Sequence, residues 1–105
     1  MSASGEVIYE VNLDIDAGIE TDYRAWLRDH VARMLALPGF VDARMTEVLD
    51  PAPAPGRVVF CVHYRLHDEA ALRDYFDHHA AGMRGDGMAR FGDQFRASRR
   101  VLRVA

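Results

Sequence analysis

The stretch Arg57–Leu66, RVVFCVHYRL, decides the fold. Val58, Phe60, Val62, Tyr64 and Leu66 occupy every second position, while Val59, Cys61, His63 and Arg65 between them mix apolar with polar character. Successive side chains of an extended strand point to opposite faces, so this pattern predicts one wholly apolar face against a helical layer and one mixed face turned away from it. Such a segment belongs in the middle of a sheet, because edge strands carry more charge.

Upstream of it, Asp50–Gly56 (DPAPAPG) places prolines at alternate positions, which fixes extended geometry and removes ladder donors. This is a stiff loop between neighbouring strands. Phe40–Leu49 alternates more loosely, with Val41, Ala43, Met45 and Leu49 in one register, and predicts a more exposed strand. Pro38-Gly39 ends a helix predicted over Ile19–Leu37, where Ile19, Tyr23, Trp26, Leu27, Val31, Met34 and Leu35 recur at helical steps. Glu6–Asp14 is the first strand, with Val7, Tyr9, Val11 and Leu13 on one face. Downstream, Asp68 caps a second helix whose stripe is Leu72, Phe76, Ala80 and Met83, with Tyr75 and His79 alongside. Gly82, Gly85 and Gly87 weaken its far end, a short extra turn over Asp86–Phe91 precedes Gly92, and Gln94–Val104 is the last strand.

Strand, helix, strand, strand, helix, strand is the split βαβ order of a ferredoxin-like α+β fold: a four-stranded antiparallel sheet with two helices on one face. The first and third strands, the most apolar, take the centre, and the second and fourth take the edges. With 105 residues there is one core to build. One domain is expected over residues 6–105, after a disordered extension over 1–5. Half the residues are hydrophobic and 28% charged, an ordinary globular balance. The apolar runs are too short for a membrane span and the start lacks the pattern of a leader, so a cytoplasmic protein of bacterial type is expected, with no membrane partner. Cys61 is the single cysteine, which excludes an intrachain disulfide and a cysteine-pair zinc site. All 13 basic residues are arginine, which excludes lysine Schiff-base chemistry.

The face turned away from the helices displays Ile8, Glu10, Asn12, Val59, Cys61, His63 and Arg65. A homodimer pressing two such faces together would bury Ile8, Val59 and Cys61 and keep Glu10, His63 and Arg65 in salt bridges or around water. Glu10, Asn12, His63 and Arg65 form the better ligand-binding constellation, either for a small anion or as a polar network fixing dimer register. Arg96, Arg99, Arg100 and Arg103 raise the question of nucleic acid. The positions that would stack bases hold Val59, Cys61, Ile8 and Glu10, and the formal net charge is −3, so an arginine-rich edge strand paired with acids is the simpler account.

VIYEVNLDID, the helix ending in LPGF, VVFCVHYRL and FGDQFRASRRVL together resemble a small uncharacterised bacterial family, a domain of unknown function, over nearly the whole chain after Ser4. That family is similar to the dimeric α/β-barrel group, whose ferredoxin-like protomers pair sheet to sheet. The group includes antibiotic-biosynthesis and haem-degrading monooxygenases, chlorite dismutase relatives, muconolactone isomerases and stress-responsive proteins, so fold constrains function little. The resemblance implies Asn12, Trp26 and His79 or His30 as counterparts of the Asn, Trp and His that monooxygenases of the group use. Strand alternation places Asn12 opposite the helices, where it would not meet Trp26 and His30 without a bulge. Trp26 as core and Asn12 as a strand-end cap is the plainer account.

His30, within an apolar stripe, is expected as a core histidine satisfied by Tyr9, Tyr64 or a backbone carbonyl. His78 and His79 diverge by about 100° around a helix and cannot share a metal, with His79 facing inward. A haem ligand would have to be His79 or His30; no dedicated cofactor and no metal are expected. The function expected first is therefore a noncatalytic or small-ligand-binding dimeric barrel. The alternative is a cofactor-independent or haem-dependent monooxygenase or a small-molecule isomerase, with a pocket near Tyr9, Trp26, His30, Tyr64 and His79.

Overall fold

A computed structural model describes residues 5–105. Strand β1 (Val7–Asp16) leads through a 3-10 turn (Ala17–Ile19) into helix α1 (Glu20–Leu35), followed by β2 (Phe40–Glu47) and β3 (Arg57–Leu66). Helices α2 (Glu69–His78) and α3 (Ala80–Phe91) follow, and a second 3-10 turn (Gly92–Gln94) enters β4 (Phe95–Arg103). The sheet order is β2-β3-β1-β4 with every neighbour antiparallel, the ferredoxin-like arrangement expected, with β1 and β3 central. Of the extension expected over 1–5, residues 1–4 lie outside the described residues and Gly5 sits in a turn.

Side-chain alternation holds along both central strands. Val7, Tyr9, Val11, Leu13 and Ile15 of β1 and Phe60, Val62, Tyr64 and Leu66 of β3 are buried under the helices, whereas Val59, Cys61 and His63 are half-buried on the other face. Because β1 pairs with β3 from Val7 opposite Leu66 to Asp16 opposite Arg57 without a break, the two apolar faces coincide. Asp68 caps α2 as its position before the stripe predicts, its Oδ1 accepting from the Ala71 N–H at 2.8 Å. Among the described residues no helix is long and apolar enough to cross a membrane.

The structure departs from the sequence reading in two places. In β2 the pairing shifts between Phe40 and Asp42, so Val41 is an extra residue at a bulge and is exposed rather than buried. Phe40 turns inward instead, with its ring 5.8 Å from Tyr64 and 5.3 Å from Tyr75, while Ala43 and Met45 keep the inward register beyond the bulge. Leu49 lies beyond the end of β2 and is exposed. The second helix does not fade into a short terminal turn. It breaks at His79, whose N–H donates to Tyr75 O, and resumes at once as the 12-residue α3. Two helices are expected and three form, because the contact of α3 with α1 outweighs the poor helix propensity of its glycines. A Cβ on Gly87 would lie 3.1 Å from the Trp26 ring, so glycine is what lets the two helices meet there.

Gly39 closes the turn into β2 at φ +85°, and a Cβ there would lie 2.4 Å from the Ala71 Cβ in α2. Gly56 has φ +76° but open space around it. Gly39→Ala is expected to cost about 2–4 kcal/mol, combining left-handed backbone strain with overpacking. Gly56→Ala should cost only the backbone part, about 1–2 kcal/mol. Urea denaturation of the two variants checks this, and equal losses would show that the approach to α2 is not tight.

Candidate functional site

The helices do not fill the space over the β1 and β4 side of the sheet. Leu13 stands opposite the small Ala97, and Gly87 of α3 lies above, leaving a cavity of about 340 Å³ between α1, α3 and the sheet. That volume falls at the small end of the range typical of ligand sites. Tyr9 and Ala97 contribute to its floor, Tyr23, Trp26 and His30 of α1 to one wall, and Met83 and Gly87 of α3 to another. The walls are mainly aromatic: Tyr23 lies 5.4 Å from Trp26, 4.8 Å from Phe91 and 5.6 Å from Phe95, and the His30 ring stacks on Trp26 at 4.7 Å and 20°.

Two polar atoms in this wall have no partner among the described residues, the Tyr23 hydroxyl and His30 Nδ1, although both are buried. Burial lowers the His30 pKa to about 4, with Arg33 adding to the effect, so the imidazole is neutral at physiological pH. Burial likewise pushes the Tyr23 phenol far above its ordinary range. Arg84 donates to the Tyr9 hydroxyl at 3.0 Å, and Arg84 and Arg99 both border the cavity.

Tyr9, Trp26, His30 and Tyr64 thus meet around one pocket. His79 does not line it: at the break between α2 and α3 its ring lies 6.4 Å from that of His78. Nor does His30 find the tyrosine or carbonyl expected for Nδ1, since the Tyr9 hydroxyl faces Arg84 instead. Tyr23, Arg84 and Arg99 are site residues that the sequence reading passes over. The alternation Phe95, Ala97, Arg99 on β4, opposite Ile15, Leu13 and Val11, is the signal that puts Arg99 on the helix side.

On the other face Asn12 joins Glu10 and His63 rather than Trp26 and His30. Glu10 is buried, with 5% of its surface exposed, although it lies opposite the helices. Its carboxylate accepts from Arg100 Nε at 2.7 Å and Nη2 at 3.0 Å, and from Asn12 Nδ2 at 3.0 Å, and it lies 2.8 Å from His63 Nε2. Arg65 is drawn away to Glu6 and Asp42, so Arg100 takes the place expected for it. Donor atoms of Glu10, Cys61 and His63 lie within 4.8 Å of one another, but a cation there would have to displace the Arg100 guanidinium from Glu10.

The bond from Arg100 holds the Glu10 carboxyl at about 2 against the opposing effect of burial, with His63 and Asn12 assisting. A carboxyl depressed by folding stabilises the native state above its unfolded pKa and loses that contribution as pH falls. For Glu10 the window runs from the ordinary value of 4.5 down to about 2. His30 acts in an earlier window, from 6.5 to about 4, because the unfolded imidazole takes up a proton there and the buried one does not. Urea midpoints measured from pH 8 to pH 2.5 should therefore fall in two stages. Glu10→Gln should flatten the more acidic stage alone and cost about 1–3 kcal/mol at neutral pH; an unaltered acidic stage would show that the network does not hold Glu10 ionised.

Several solved structures share this architecture. A mutant form of SnoaB, described as a cofactor-independent oxygenase from Streptomyces nogalater, superimposes with a TM-score of 0.68 at 16% identity, over 96% of this chain and 93% of that one. A protein of unknown function from Nitrosomonas europaea gives 0.69 at 14% identity, over 98% and 92% of the two chains. MhuD, a heme-degrader from Mycobacterium tuberculosis with two hemes bound in its active site, gives 0.65 at 14% identity, over 94% and 95%. At these identities the likeness is one of fold. No curated protein matches in sequence. The sequence from residue 6 to residue 105 matches the family described as a domain of unknown function, DUF4286, and the chain belongs to that family.

Proposed function

We propose that the protein binds a flat, largely apolar small molecule carrying a hydrogen-bonding oxygen, in the pocket beneath α1 and α3. The observation that carries this reading is the pair of buried, unpartnered atoms, Tyr23 Oη and His30 Nδ1, in an aromatic wall. Leaving a buried polar atom unpaired costs about 1–3 kcal/mol, and a fold keeps such atoms where another requirement holds them. A ring system sliding between the aromatic walls would gain stacking and apolar burial while its oxygen met one of these atoms.

Proton transfer to His30, as a cofactor-independent oxygenase or an isomerase would use it, is the second reading. The neutral imidazole stacked on Trp26 at the cavity favours it, and SnoaB shares the fold. Energetics place it second: taking a proton from a phenol of ordinary pKa onto a base at about 4 is uphill by roughly six units, about 8 kcal/mol. Binding needs no such transfer. Haem, which MhuD holds, fits the chain's donors poorly, since His79 lies outside the pocket and the remaining candidate, His30, lies flat against Trp26.

A second copy of the chain is the partner that suits the outer sheet face, where Ile8, Val59, Cys61 and Leu102 are half-buried and no helix covers them. Sedimentation should give a dimer, and Val59→Lys should shift it toward the monomer.

Tyr23→Phe separates ligand binding from packing. It removes the orphan hydroxyl without changing shape, so unfolding free energy should rise by about 1 kcal/mol. Binding of 2-naphthol, followed by quenching of Trp26, the single tryptophan, should weaken about tenfold. Loss of stability in this variant, or full binding, would assign the hydroxyl a structural role and remove the main support for the reading.

A further inference from the structure

The pocket has a charge character as well as a shape. Two guanidinium groups, Arg84 from α3 and Arg99 from β4, border it, and among the described residues no carboxylate does, although the chain carries 16 acidic residues against 13 basic ones. Six other arginines are matched: Arg24 with Glu20, Arg33 with Asp86, Arg57 with Asp14, Arg65 with Glu6 and Asp42, Arg100 with Glu10, and Arg103 with Glu69; what sets Arg84 and Arg99 apart from the rest is that they border the cavity. Arg84 and Arg99 have no carboxylate within salt-bridge distance among the described residues; Arg84 rests on the Tyr9 hydroxyl and near the Phe76 ring.

Both arginines are exposed, so they stand at the mouth while the aromatic wall and the Tyr23 hydroxyl lie inside. A neutral apolar guest would leave both cations solvated and gain nothing from them. A guest with one acidic oxygen group at its edge would meet two planar donor groups of a kind suited to carboxylate or enolate oxygens. We infer that the ligand class is a flat conjugated monoanion, an aryl carboxylate or an enolate, lying with its ring between Trp26 and the sheet and its acidic group at Arg84 and Arg99. This rests on the pocket being the binding site and adds the charge and orientation of the guest.

Two probes of the same shape test it, 2-naphthoate and 2-naphthamide, titrated calorimetrically at low salt with Trp26 quenching recorded in parallel. Naphthoate should bind at least about tenfold more tightly than naphthamide, and the preference should shrink as salt is added. Arg99→Gln and Arg84→Gln should each cut the preference by about threefold or more, weakening naphthoate more than naphthamide, and Arg99→Lys should restore part of it. Equal binding of the two probes with Trp26 quenched would overturn the charge inference and leave the pocket reading intact. Binding of neither naphthoate, naphthamide nor 2-naphthol would overturn both. Naphthoate binding that survives the double Arg84→Gln, Arg99→Gln variant would place the anion elsewhere and overturn the assignment of these residues.

Discussion

The unbroken antiparallel register between β1 and β3 governs the rest of the molecule. Because every residue from Val7 to Asp16 has its partner from Leu66 to Arg57, a single alternation sorts the side chains of both strands onto two faces. One face receives Tyr9, Phe60, Val62 and Tyr64 and accepts the helices. The other receives Glu10, Asn12, Cys61 and His63. A slip of one residue would flip the strand that moved, carrying Glu10 under the helices and exposing Tyr9 if β1 shifted, or doing the same with His63 and Tyr64 if β3 shifted. The costs of buried charge and lost apolar burial both oppose that slip. The Glu10–His63 pair across the same register reinforces it, since the two side chains meet only when those residues stand opposite.

The edge strands obey this register less strictly, and that is where the function-bearing features arise. On the β2 side, the bulge at Val41 lets Phe40 close the core against Tyr64 and Tyr75, so that end is densely packed. On the β4 side, Ala97 opposite Leu13 is too small to fill the layer, and the cavity opens above it. Protein interiors ordinarily pack to near crystal density, so a gap walled by Tyr23, Trp26 and His30 is a departure from what stability alone would favour. The orphaned hydroxyl and imidazole nitrogen deepen that departure, because a Phe at 23 would satisfy packing without any polar penalty.

The strands, their order, the Asp68 cap and the inward faces of β1 and β3 are all legible in the sequence, since each depends on residues close in the chain. Tyr9, Trp26, His30 and Tyr64 are legible as pocket residues for the same reason, each lying on an inward face of its own element. Three features are not. The Val41 bulge lies in the pairing of β2 with β3, where Phe40 stands opposite Leu66 and Asp42 opposite Arg65. The length of α3 depends on Gly87 receiving the Trp26 ring, which local propensity reads as a weakness. The choice of Arg100 rather than Arg65 for Glu10 depends on Asp42 of β2 and Glu6, just ahead of β1, competing for Arg65. In each case a contact between distant segments overrides the local pattern.

Arg99 and Arg100 show how much one step of alternation decides. They are adjacent in the chain and alike in chemistry, but on a strand their side chains leave opposite faces. Arg100 stands opposite Glu10 and is consumed by it, which lets a carboxylate remain ionised on a sheet with apolar neighbours. Arg99 stands opposite Val11, where no acid among the described residues is within salt-bridge distance, and its charge is left at the mouth of the cavity. Exchanging their surroundings would need only a one-residue slip of β4 against β1, and that slip would also push Phe95 out of its contact with Tyr23. The packing of Phe95 therefore fixes which arginine neutralises the outer face and which remains available to a ligand, so the core, the Glu10–Arg100 ion pair and the candidate site are set by one register.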